Sequence, residues 1–167
     1  MSQPVRNGPP QTGDERMTLT AFLQYQRDTL AMKCAGLSTE QLRERAVPPS
    51  GLSLLGLIRH MAEVERAWFR NVLNGEDSAN RWTNDEGEWA DFDVDGADVD
   101  EAYDLWYDEW ARSRDIVDGI ASLDTVKRHG DQEYSLRYVL VHMIEEYARH
   151  NGHADLLRER IDGATGE

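Results

Sequence analysis

The stretch that decides the fold is Val141-His142-Met143-Ile144-Glu145-Glu146-Tyr147-Ala148-Arg149-His150-Asn151-Gly152-His153. On an α-helix, residues three and four apart share a face. His142, Glu146, His150 and His153 are spaced by four, four and three, so they form one stripe. Three of the chain's five histidines and a carboxylate on one face make a poor core surface. They make a good ligand set, because imidazole and carboxylate both suit first-row divalent ions.

The residues flanking this stripe predict the helix that carries it. Ser135 is its cap, Leu136, Val139, Leu140, Met143, Ile144, Leu156, Leu157 and Ile161 pack inward, and Gly163 stops it. Upstream, Thr18 to Ala35 read as a first amphipathic helix, followed by a short capped turn at Ser38 and a break at Pro48-Pro49. Ser53 caps a second long helix, Leu54 to about Asn74, whose apolar positions run nearly all round, as suits a central helix. His60 lies inside it, on the face of Gly56, Leu57, Val64 and Ala67. Residues Glu76 to Ala97 are acidic and irregular, with Trp82, Trp89 and Phe92 interspersed. Asp98 opens a third helix, reaching about Leu123, and Gly130 to Glu133 form a turn. No segment has a strand's period. The expectation is an all-α four-helix bundle with a long acidic loop between helices two and three. Met1 to Arg16, with three prolines and few apolar side chains, reads as a disordered tail, and residues 17–163 as a single domain.

Composition narrows the function. Lys and Arg number 18 against 32 Asp and Glu, a net charge of -14, which argues against nucleic acid or anionic membrane as partner. No apolar run is long enough to span a bilayer, and no signal peptide is evident. The lone cysteine, Cys34, forms no intramolecular disulfide and reads as a buried core residue, so a cytoplasmic protein is expected.

His60 together with Glu146 and His150 is the main chemical constellation. A pair four residues apart rises about 6 Å along a helix, close enough to converge on one ion. Three protein ligands leave a position open for water or substrate, the mark of a catalytic metal. His60-x-x-Glu63 has neither the order nor the second copy that a di-iron bundle needs. Asp91-Phe92-Asp93-Val94-Asp95-Gly96 opens like an EF-hand loop, but Ala102 stands where the bidentate glutamate belongs. Trp68, Trp106 and Trp110 sit at helical spacing among apolar residues and read as core. Trp82 and Trp89, in the loop, are open to a role in a pocket.

Gly56-Leu57-Ile58-Arg59-His60-Met61 and the run Glu146 to His153 resemble the DinB-like superfamily of metal-binding four-helix proteins, over roughly Thr18 to Gly163. Members take one histidine from their second helix and a pair four apart from their last. Many read His-x-x-x-His-Arg-Gly-Gln there; this chain has Glu146 for the first histidine and His-Asn-Gly-His for the tail. The mycothiol-dependent maleylpyruvate isomerases look similar in placing a glutamate at that position. The resemblance implies His60, Glu146 and His150 as ligands of a divalent ion (zinc, nickel or iron). It also implies transfer of a low-molecular-weight thiol such as mycothiol to a small electrophile, in a chain able to form a homodimer. His153 is either a third ligand in place of Glu146 or a catalytic base beside the metal, and His142 is read as structural. Two other readings stand beside the enzyme: a non-enzymatic metal-binding stress or sensing protein, and a helical dimerisation module without metal.

Overall fold

The computed structural model describes residues 6–165. Met1 to Val5, part of the expected tail, lie outside them. The chain runs α1 (Glu15–Cys34), α2 (Thr39–Arg43), α3 (Leu54–Glu65), α4 (Val99–Asp118), β1 (Val126–His129), β2 (Gln132–Ser135) and α5 (Leu136–Asp162). α3 continues without a break into a π-helical stretch, Arg66–Leu73.

Each long helix starts at a side-chain cap. Asp14 accepts from the Met17 amide, Ser53 from Gly56, Asp98 from Asp100 and Glu101, and Ser135 from Tyr138. These oxygens satisfy amides that have no partner within the helix. Gly163 ends α5 in the left-handed region at φ 77°, its amide bonded to the Glu159 carbonyl. α1 begins at Glu15, ahead of the expected Thr18. Asp14 caps it there, and Arg16 reaches across to the Val117 and Ile120 carbonyls at the end of α4.

α1 packs on α5, and α3 with its π-helical extension packs on α4. Between them lies a core in which Leu30, Leu54, Leu57, Ile58, Met61, Phe69, Trp106, Leu140, Met143 and Tyr147 are fully buried. Trp110 is buried and Trp68 half-buried, while Trp89 is exposed.

Three further expectations need correction. Residues 126–135 form an antiparallel hairpin, pairing Val126 with Ser135 and His129 with Gln132. The sequence hid it because Val-Lys-Arg-His is exposed throughout, so no buried face imposes an apolar alternation. The second helix is not α-helical to Asn74. From Arg66 it widens to π, and the Asn74 amide reaches the Phe69 carbonyl five residues back. α4 stops at Asp118, short of Leu123, with Gly119 as its cap.

A buried polar network ties four helices together. Glu65 of α3 is fully buried and takes a bidentate pair of bonds from Arg27 of α1, both at 2.7 Å. The Tyr147 hydroxyl of α5 donates to the same carboxylate at 2.8 Å, and Trp106 and Trp110 of α4 donate their indole N–H groups to that hydroxyl oxygen. Burial and the neighbouring Glu65 charge hold the Tyr147 phenol far above its ordinary pKa, so it stays a donor. Tyr147 directly follows Glu146, so this network also sets the rotation of α5 at the candidate ligands.

Residues 74–98 contain no helix and one isolated bridge, Thr83 to Trp89. They are nonetheless held closely. Glu63 accepts from the amides of Arg81 and Trp82, and Arg66 bonds Ser78 and Asn80. Arg59 donates to the Asp93 carbonyl and stacks over Trp82 at 4.6 Å. This segment therefore lies along α3, on the side where His60 emerges. Among the described residues, no helix is long and apolar enough to cross a membrane.

Candidate metal centre

His60 projects from the second turn of α3, and Glu146 and His150 from successive turns of α5. One donor atom from each of the three lies within 4.8 Å of the others. His150 Nε2 is 3.5 Å from Glu146 Oε2, and the His60 and His150 rings meet edge to face with centroids 4.7 Å apart.

The loop orients His60. Its Nδ1 lies 2.7 Å from Oδ2 of Asp91, a carboxylate only 5% exposed, and Phe92 stacks on the ring at 5.0 Å. Proton sharing on Nδ1 leaves Nε2 as the free donor atom, an arrangement common to metal-binding histidines. Gly56, one turn before His60, makes room for the stack: a Cβ there would stand 2.8 Å from Phe92 Cδ1. Asp91 and Phe92 were not among the residues expected at the site. Their signal was present in the acidic Asp-Phe-Asp-Val-Asp run, which looked like a failed calcium loop and is instead the support for a histidine.

His150 is buried, and its other nitrogen, Nδ1, lies 3.4 Å from Nδ1 of His153. Burial, then the neighbouring His60, His153 and Arg149, push its pKa down to about 4; Asp91 opposes them. The imidazole is therefore neutral at pH 7, the state that can ligate a cation. The Asn151 amide donates to the Gln26 carbonyl and side chain, pinning α5 to α1 beside His150.

Of the four stripe residues, the structure brings two together with His60 and places the other two beside them. Glu146 and His150 meet His60. His153 instead contacts the outer nitrogen of His150. His142 packs against Trp68 at 4.2 Å and lies parallel to Tyr138, with Nε2 3.7 Å from Glu146 Oε1. Arg149 also reaches that carboxylate, at 3.4 Å.

The donor set fits a divalent ion. Tetrahedral coordination with bonds of about 2.1 Å places neighbouring donors about 3.4 Å apart, and Glu146 Oε2 and His150 Nε2 stand at 3.5 Å. Two neutral imidazoles and one carboxylate also leave a net positive charge with any divalent cation, which favours a further anionic ligand.

No curated protein matches the chain. A family model described as mycothiol-S-transferase matches residues 18–163, spanning all five α-helices but for the first three residues of α1. The chain therefore belongs to the mycothiol-S-transferase family, a part of the DinB-like superfamily.

Proposed function

We propose that this chain is a DinB-like four-helix-bundle enzyme that joins a low-molecular-weight thiol of the mycothiol type to a small electrophile, with His60, Glu146 and His150 holding a divalent metal ion. The observation that carries the reading is the convergence of these residues from two helices, with His60 oriented by the buried Asp91. Family membership supports the thiol.

A divalent cation bound there supplies the charge that lowers the pKa of a thiol. The chain's own residues do the rest. Asp91 fixes the His60 tautomer so that Nε2 faces the centre. Glu146 contributes the negative charge of the donor set, and His142 and Arg149 hold its other oxygen. His153, half-buried beside His150, is the base in this reading: it takes the thiol proton. The sulfur lone pair then forms the C–S bond to the electrophile, and any leaving group departs with its bonding electrons. The donor set suits zinc, nickel or iron(II).

The setting we infer is the cytoplasm, where small thiols are kept reduced. Tyr138, Val141 and Leu156 are each more than half exposed on α5 and support a homodimer.

The test is conjugation of a thiol-reactive electrophile by mycothiol, with wild-type, His60→Ala and His150→Ala proteins of matched helicity. The reading expects turnover in wild type alone. Turnover that survives both substitutions contradicts it. Metal binding by wild type without any conjugation across a panel of electrophiles favours the non-enzymatic reading.

A further inference from the structure

A cavity of about 370 Å³ lies between α1, α4 and the start of α5, lined by residues that belong to no part of the metal centre. Its floor is Arg27, 3% exposed. Two edges of that guanidinium are used: Nε and Nη2 bond Glu65, and Nη2 also bonds Ser113. Nη1 makes no hydrogen bond to the described residues, and Arg27 is among the residues that line the cavity. It therefore faces the cavity. Glu65 already offsets the charge of Arg27, but a guanidinium N–H left without an acceptor at the base of a cavity is costly unless water or a ligand meets it.

The rim adds two more guanidinium groups. Arg16 spends its donors on the carbonyls of Val117 and Ile120, and Arg114 donates to Gln24. Neither partner carries charge, so both cations remain uncompensated by their bonds. Asp118 is the one carboxylate in the lining, against Arg16 and Arg114, since Glu65 already offsets the charge of Arg27. In a chain with a net charge of -14, that local balance is unusual. The remaining wall includes Met17, Ala21, Leu23, Val117 and Leu140, which are apolar. The volume lies within the range of small-molecule sites.

We propose that this cavity is a second ligand site, taking a small organic carboxylate with an apolar body. The carboxylate meets Arg27 Nη1 and the rim arginines, and the body lies against Ala21, Leu23 and Leu140. A bare inorganic anion lacks the apolar part and a neutral amide lacks the charge. Arg–carboxylate recognition favours this chemistry because the planar fork matches two oxygens.

Isothermal titration of the full chain with octanoate tests the proposal, using octanamide and sulfate as comparison ligands. The expected result is saturable binding of octanoate with one site per chain, and binding of octanamide and sulfate at least about 10-fold weaker, since a charge-assisted bond is worth roughly 1.5–3 kcal/mol. Ala21→Phe, which adds bulk to the cavity wall and keeps Arg27 in the chain, abolishes the binding. The double change Arg16→Gln with Arg114→Gln weakens it about 10-fold or more. Removing metal with a chelator leaves it unchanged, which separates this site from the metal centre. No saturable heat with octanoate overturns the proposal. So does equal affinity for octanamide or sulfate, or undiminished binding in a folded Ala21→Phe protein.

Discussion

Nδ1 of His60 and Oδ2 of Asp91 lie 2.7 Å apart, joining a central helix to a loop more than thirty residues further along the chain. That contact turns an irregular acidic segment into part of the site. In the proposed centre it selects the His60 tautomer, so that metal affinity is expected to depend on a residue that is not itself among the three donors.

Asp91→Asn is therefore expected to lower metal affinity by about 10- to 100-fold while the helices persist. Competition with a chromophoric chelator measures the affinity and circular dichroism the fold. Unchanged affinity in a folded Asp91→Asn protein would show that the loop carboxylate does not orient the ligand.

Gly56→Ala tests the same support from the opposite side. The new methyl group meets Phe92 Cδ1 at 2.8 Å and Ser53 Oγ at 3.2 Å. Phe92 is half-buried and can swing outward, so the stability cost is expected near the low end of overpacking, about 1 kcal/mol. The larger effect falls on the centre, because Phe92 leaves the face of His60. Weakened metal binding with a small drop in melting temperature is the expected pair of results.

The network around Glu65 predicts a different pattern. Glu65→Ala leaves Arg27 buried without its counter-charge, and is expected to cost about 3–5 kcal/mol in urea unfolding. Tyr147→Phe removes the acceptor of two indole N–H groups and one donor to Glu65, for about 1–3 kcal/mol per group left unpaired. If Tyr147→Phe unfolds at the same urea concentration as wild type, the network does not hold the helices together.

Much of this arrangement was legible in the sequence, and the illegible parts share a cause. Ser53, Ser135 and Gly163 mark helix ends through local hydrogen bonding, so local sequence reveals them. That His142, Glu146, His150 and His153 share a face follows from helical period, and the family resemblance singles out Glu146 and His150 among them. What the sequence could not show depends on contacts distant along the chain. Asp91 meets His60 only because Gly56, Arg59 and Glu63 dock the loop on α3. Glu65 and Arg27 look like surface charges until four helices close around them. The hairpin at 126–135 was missed for the opposite reason: its first strand is exposed throughout and its second half-buries only Tyr134 and Ser135, so they leave no apolar alternation to read.

The metal-free protein is expected to lose stability as pH falls. The pKa of His150 is about 4 in the folded chain and near 6.5 when unfolded. Between these values the unfolded chain binds the extra proton, so the folded state is favoured fully above about pH 6.5 and progressively less toward pH 4. Urea midpoints measured across that window check it. His150→Gln, which cannot titrate, should show a shallower decline over the same interval.

The central claim is that His60, Glu146 and His150 hold one divalent ion per chain, and metal stoichiometry after reconstitution tests it most directly. Protein loaded separately with zinc, nickel and iron(II), then desalted, is expected to retain about one equivalent of at least one of these metals. His150→Ala and Glu146→Ala proteins that keep their helical content are expected to retain less than roughly a tenth as much. Wild-type protein that retains none of the three, or folded variants that retain as much as wild type, would contradict the account.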